Sequence, residues 1–174
     1  PPRSRVLLAN VAGDEAGMRL RKHLEAWAGL FEEVRPQAER CGVRNHYANP
    51  AQLGVDRWCA LLGARALHEG PAVVVMAGTA TTIDTLDAEG NFIGGLILPG
   101  IDLMRHSLAR DTAALPLVRG EYSTLPRCTA DAIFSGVLEA HLGAIERACF
   151  RLSGDAVRCL LSGGNAALLA SRLE

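Results

Sequence analysis

Residues 72–84 read Ala72-Val73-Val74-Val75-Met76-Ala77-Gly78-Thr79-Ala80-Thr81-Thr82-Ile83-Asp84, and this stretch decides the fold. Ala72 to Met76 is a continuous β-branched-rich run, the pattern of a strand covered on both faces. Ala77-Gly78-Thr79 interrupts it, and Thr79 to Leu86 resumes as a second strand. Asp87-Ala88-Glu89-Gly90-Asn91 has hairpin-turn chemistry, and Phe92 to Leu98 is a third strand ended by Pro99-Gly100. The small glycine-threonine turn at the end of a buried strand offers main-chain N–H groups and hydroxyls. Such a turn can hold a nucleotide phosphate without a lysine-bearing loop.

Working outward, Val6 to Ala9 is a short strand candidate, and Ala16 to Leu30 reads as an amphipathic helix with Met18, Leu20, Leu24, Trp27 and Leu30 apolar. Asn49-Pro50 starts a cap-like turn, and Asp56 opens a helix with Trp58, Leu61, Leu62 and Ala66 on one face. Gly70-Pro71 stops that helix before the first meander strand. Beyond the meander, Ile101, Met104 and Leu108 have helical spacing, and Thr129 caps a long helix with the stripe Ile133, Val137, Leu138, Ala144, Ile145 and Ala148. Val157 to Leu161 is a further strand, and Ser162-Gly163-Gly164-Asn165 turns into a last helix. The alternation predicts a mixed α/β architecture around a three-stranded meander.

Composition narrows the function classes. With 174 residues, 49% of them hydrophobic, and a mean hydropathy of +0.14, the chain can fill one ordinary core or two small ones. A net charge of −1 without any basic block argues against nucleic acid or a membrane surface as partner. No apolar run is long enough to span a bilayer, and Pro1-Pro2-Arg3-Ser4-Arg5 leads into no signal-type segment, so a cytoplasmic location is expected. The five cysteines, Cys41, Cys59, Cys128, Cys149 and Cys159, form no CxxC pair and read as reduced, mostly buried small hydrophobes. Lys22 is the one lysine and no GxxxxGK occurs, which excludes the lysine-based phosphate loop. Arginine, backbone or metal must meet any phosphate charge.

Six segments then fall in order: Gly42-Val43-Arg44-Asn45-His46-Tyr47, Leu53-Gly54-Val55-Asp56-Arg57-Trp58, Gly78-Thr79-Ala80-Thr81-Thr82, Gly94-Gly95-Leu96-Ile97-Leu98-Pro99-Gly100, Thr129-Ala130-Asp131-Ala132-Ile133 and Ser162-Gly163-Gly164. In this order and spacing they resemble type III pantothenate kinases, from about Val6 to the end of the chain. The resemblance implies the ribonuclease H-like, actin-like fold of the acetate and sugar kinase, Hsp70 and actin superfamily, a duplicated βββαβα unit. Residues 1–56 would then be the remnant of the first unit and residues 57–174 the second. The family opens with an Asp-x-Gly-Asn-Ser/Thr turn that holds ATP phosphates. Nothing of that kind precedes Val6, so the first unit is expected to be incomplete and the extreme C-terminus missing.

Each site residue carries two readings. Asp56 alone is a helix N-cap; the resemblance matches it to the general base acting on the pantothenate hydroxyl. Arg57 alone is a surface ion-pair former of small worth; the resemblance makes it a substrate contact, as it does the half-apolar Tyr47, Gly54, Val55 and Thr129, the last an N-cap by default. Thr79, Thr81 and Thr82 alone express β-propensity; the resemblance assigns Thr79, with Gly78, to ATP. Ser162-Gly163-Gly164 is either a plain turn or one near the adenosine. The role of Asp84, in phase with Ala80 and Thr82, is left open. The resemblance further implies ATP with Mg²⁺, a monovalent cation (K⁺ or NH₄⁺) and a homodimer. Many members carry an aspartate where Met76 stands, and a thioether is a poor ligand for a hard cation. The rival readings are a non-catalytic accessory or regulatory protein on the same fold, and a superfamily kinase acting on a sugar or small acid.

Overall fold

A computed structural model describes residues 5–112, 119–152 and 157–173. In chain order its elements are β1 (Val6–Leu8), α1 (Asp14–His23), β2 (Phe31–Glu33), β3 (Glu39–Arg40), β4 (Val43–Asn45), α2 (Val55–Leu67), β5 (Ala72–Ala77), β6 (Ala80–Leu86), β7 (Asn91–Pro99), α3 (Ile101–Asp111), α4 (Thr129–Arg151), β8 (Arg158–Ser162) and α5 (Ala166–Ala170). The expected meander β5-β6-β7 lies inside a six-stranded sheet of order β3-β4-β7-β6-β5-β8. From β5 onward the order is the βββαβα unit of the actin-like fold, with two helices between β7 and β8. β1 and β2 form a separate parallel pair across α1.

Strand periodicity sorts the core into two layers. Ala72 and Val74 of β5 face α2, joining Val43, Leu53, Trp58, Leu61, Ala64, Leu86 and Phe92. Val73, Val75 and Ala77 face the other way, onto Ile83, Ile101, Val137, Leu138, Leu142, Ile145, Ala148 and Leu169. Both faces of β5 are therefore dry, which is why its sequence shows no polar alternation. β8 pairs parallel to β5, and β6 runs antiparallel to both β5 and β7.

The structure revises several boundaries. The helix expected over Ala16 to Leu30 divides into α1 and a 3-10 stretch, Glu25–Leu30. The Leu24 N–H is shared between the Leu20 and Arg21 carbonyls, and the basic last turn Arg21, Lys22 and His23 suits a helix C-terminus, so the coil tightens there. The long helix α4 starts as expected, yet its N-cap is Cys128 rather than Thr129, and no side chain caps it. Its buried stripe keeps Val137, Leu138, Ile145 and Ala148 and adds Ser135, His141 and Leu142; Ile133 and Ala144 are only half-buried.

Candidate active site

Because β5, β7 and β8 are mutually parallel, their carboxyl ends at Ala77, Pro99 and Ser162 meet at one end of the sheet, the end where α/β sheets bind ligands. Three turns interlock there. The Gly78 N–H donates to the Ala80 carbonyl at 3.0 Å, and the Gly100 N–H donates to the Thr79 carbonyl at 2.8 Å. A Cβ on Gly100 would lie 2.2 Å from the Gly78 oxygen, so only glycine lets the end of β7 close on the Gly78-Thr79 turn. From the opposite side Gly163, at φ +102°, presses its backbone on Ala77, while the Asn165 N–H donates to the Ala77 carbonyl at 3.1 Å. The exposed Thr79 opens onto a cavity of ≈ 490 Å³ shared with Asp102, His106, Gly164 and Asn165. Gly78 has committed its N–H, so it supplies room in this cradle and Thr79 supplies the hydroxyl.

α2 leads into β5 and runs back along it, which puts the start of α2 at the same end of the sheet. Gly54 is its N-cap and Asp56 lies one residue into the first turn, so the expected N-cap role for Asp56 does not hold; no side-chain cap bond forms. A first-turn carboxylate still gains from the helix dipole. Asp56 is exposed and stands at the rim of an apolar groove of ≈ 610 Å³ that includes Met76, Leu161 and Ser162. Val55 is buried beneath it.

Arg57, the next residue, turns inward. Its side chain is 5% exposed and forms an ion pair with Asp84, which is fully buried. Nε donates to both carboxylate oxygens at 3.2 and 3.0 Å, and Nη2 donates to Oδ1 as well. Nη1 donates to the Tyr47 hydroxyl at 2.9 Å, and the guanidinium sits 5.7 Å from the Tyr47 ring and 5.8 Å from the Phe92 ring. This is a buried, fork-shaped, charge-assisted arrangement rather than a surface pair. Burial pushes the Asp84 carboxyl above the usual carboxylate range against the opposing pull of Arg57. Burial alone would lower the Arg57 guanidinium, yet Asp84 and Tyr47 together raise it. Tyr47 itself is placed by Asn45, whose Oδ1 accepts from the Tyr47 N–H at 3.1 Å while its Nδ2 donates to the Pro50 carbonyl at 3.1 Å.

Thr129 is not brought to this cluster. It lines a separate cavity of ≈ 810 Å³ between α3 and α4, with Met104, Ser107, Arg127, Cys128 and Val137. Among the described residues no three His, Cys, Asp or Glu side chains gather as a metal site, and no helix is long and apolar enough to cross a membrane. Met76 is half-buried and lines the α2 groove, and its thioether is a poor ligand for a hard monovalent cation. All five cysteines are free, but Cys41 and Cys128 are exposed and none is fully buried, contrary to the expectation from composition. The sequence pointed to Asp84 only through its alternation and to Gly95 and Gly163 only as members of longer motifs, while Asp102 drew no attention; what these residues touch depends on contacts between distant segments.

Comparison with known proteins identifies the family. A family profile described as type III pantothenate kinase matches residues 1–151. A type III pantothenate kinase from Dechloromonas aromatica is 63% identical over 173 residues, spanning 99% of this chain and 73% of that protein. One from Aromatoleum aromaticum is 52% identical over 174 residues, covering 99% of this chain and 72% of its own length. Among solved structures, a Campylobacter jejuni protein described as of the Baf transcriptional activator family superposes with a TM-score of 0.68 at 25% identity, over 99% of this chain and 74% of that one. With six motifs in register, the expected unit in the structure and near relatives along almost its whole length, the chain belongs to the type III pantothenate kinase family.

Proposed function

We propose that this chain transfers the γ-phosphoryl group of ATP to the primary hydroxyl of pantothenate, giving 4'-phosphopantothenate and ADP, the first step of coenzyme A synthesis. The observation that carries the reading is the placement of the Asp56 carboxylate and the Gly78-Thr79 cradle at the same end of the sheet. In the reaction the pantothenate oxygen attacks the γ-phosphorus, the bond to the β,γ-bridging oxygen breaks, and Asp56 orients the hydroxyl and takes its proton. Positioning and charge stabilisation count for more here than base strength, because the transition state is loose. Thr79 donates its hydroxyl to ATP, and Gly164 leaves the cavity open beside it.

Mg²⁺ would be held in this cavity through its water shell by the exposed Asp102 carboxylate, whose Oδ1 also meets Arg105 at 3.3 Å and whose second oxygen is left for the ion's waters. When bound, the ion neutralises phosphate charge. The monovalent cation does not fit at Met76, and no step is assigned to it. Tyr47, Gly54, Val55 and Arg57 frame the pantothenate side, with Arg57 acting from below through Tyr47. Thr129 lies in its own cavity between α3 and α4. That cavity shares no lining residue with the Asp56 groove, which supports a homodimer in which a second copy brings its α3–α4 cavity to complete the pantothenate site.

The test is ATP-dependent phosphorylation of pantothenate by the full-length protein, read by product mass and ADP release. Turnover that does not change when K⁺ and NH₄⁺ are withdrawn is the expected result. No turnover under either ionic condition would defeat the kinase reading and return the protein to an accessory role.

A further inference from the structure

Arg57 follows Asp56, the proposed general base, yet its own side chain is buried. Its guanidinium is held from beneath by Asp84 of β6 and faces Tyr47 on the outer side. The Tyr47 oxygen accepts a charge-assisted bond from Nη1 at 2.9 Å, which occupies a lone pair and leaves the phenolic O–H to donate elsewhere. Tyr47 is half-buried, and its ring packs 5.2 Å from Phe92, which favours this placement of the hydroxyl. The strand opposite Asp84 is shaped for this fork. Gly95 of β7 pairs with Asp84, and a Cβ there would lie 2.1 Å from Asp84 Oδ1, 2.7 Å from Arg57 Nη2 and 2.7 Å from the Ile83 carbonyl. No side chain fits between the carboxylate, the guanidinium and β7.

Resting on the pantothenate-kinase reading, we propose that Asp84 is a positioning residue for substrate: seated against Gly95, it fixes Arg57, which turns the Tyr47 hydroxyl into an outward-pointing donor to an acceptor oxygen of pantothenate. Asp84 touches no substrate; it acts through two side chains. Asparagine at 84 cannot match a guanidinium with two charged acceptors, so Arg57 loses its fixed seat and Tyr47 its polarising partner. The effect belongs to pantothenate and not to ATP, because Thr79 and its cavity share no residue with the Asp84-Arg57-Tyr47 chain.

The experiment is a double-substitution cycle in the full-length protein using Tyr47→Phe and Asp84→Asn, with KM for pantothenate and for ATP and thermal unfolding measured for each. Loss of one hydrogen bond to substrate raises KM for pantothenate about tenfold in each single variant. The double variant should show about the same rise rather than about a hundredfold, with KM for ATP within about twofold of wild type throughout. Gly95→Ala, which drives the fork apart from the other side, should reproduce the Asp84→Asn pattern. Additive effects in the cycle, equal losses for both substrates, or failure of both Asp84→Asn and Gly95→Ala to fold would reduce the network to scaffold and overturn the proposal. Wild-type turnover, measured in the same series, tests the kinase reading separately.

Discussion

Gly163→Ala isolates the packing that builds the phosphate cradle. Gly163 sits at φ +102°, where an L-residue pays about 1–2 kcal/mol for its Cβ. That Cβ would also meet the Ala77 backbone, with the oxygen at 2.5 Å, the carbonyl carbon at 2.7 Å and the nitrogen at 2.9 Å. Backbone cannot rotate aside as a flexible side chain can, so relief of the clash adds about 1–3 kcal/mol. The expected total is a destabilisation of about 2–5 kcal/mol, which for a chain of this size lowers Tm by roughly 5–15 °C. Ala77 leads straight into Gly78-Thr79, and β5 and β8 are paired up to this point, so the shift also widens the cradle and raises KM for ATP. Gly164→Ala is the internal control: no atom lies within 4 Å of its added Cβ and its φ is ordinary, so Tm should stay near wild type. Thermal and urea unfolding of both variants decide the matter. A Gly163→Ala protein with wild-type Tm and wild-type KM for ATP would refute the interlocked-turn account.

Three further outcomes follow from the same structure. Thr79→Ala removes an exposed hydroxyl from the cradle and should raise KM for ATP about tenfold while Tm stays unchanged, as steady-state kinetics beside a melting curve will show. Burial pushes the Cys159 thiol up to about 12, whereas Cys41 and Cys128 are exposed; mass-resolved alkylation at pH 8 should label Cys41 and Cys128 first and Cys159 last, and equal rates would contradict the packing of β8. Asp131 accepts the Glu121 N–H at 2.8 Å, and this bond holds its carboxyl below the usual aspartate range. A depressed carboxylate stabilises the fold above its unfolded value and loses that contribution as pH falls through the folded one, so the Glu121 amide resonance should titrate below the ordinary aspartate midpoint.

The long, strongly periodic pieces were legible in the sequence because their burial pattern repeats. β5, β6, β7, α3, α4 and β8 all appear within a residue or two of where alternation and helical spacing put them. β2, β3 and β4 are two or three residues long and carry no usable period, so they emerge only from pairing. The caps misled in one consistent way: Asp56 and Thr129 have N-cap chemistry, yet Gly54 and Cys128 hold those positions. At Asp56 the misassignment is informative, since a carboxylate without a cap bond remains available at the groove. The inward turn of Arg57 was illegible, because it depends on Asp84 lying 27 residues later on the α2-facing side of β6. The three glycines that seat the turns and the fork, Gly95, Gly100 and Gly163, look like ordinary turn or strand residues until the neighbouring backbone is in place.

The central claim is that Asp56, poised at the start of α2, acts on a hydroxyl delivered to the cradle. The direct measurement is kcat, KM for pantothenate and Tm of full-length Asp56→Asn. Removing a positioned general base should lower kcat by about 10²–10⁴-fold, with Tm and KM for pantothenate close to wild type because Asp56 is exposed and makes no cap bond. Wild-type kcat in that variant would contradict the account.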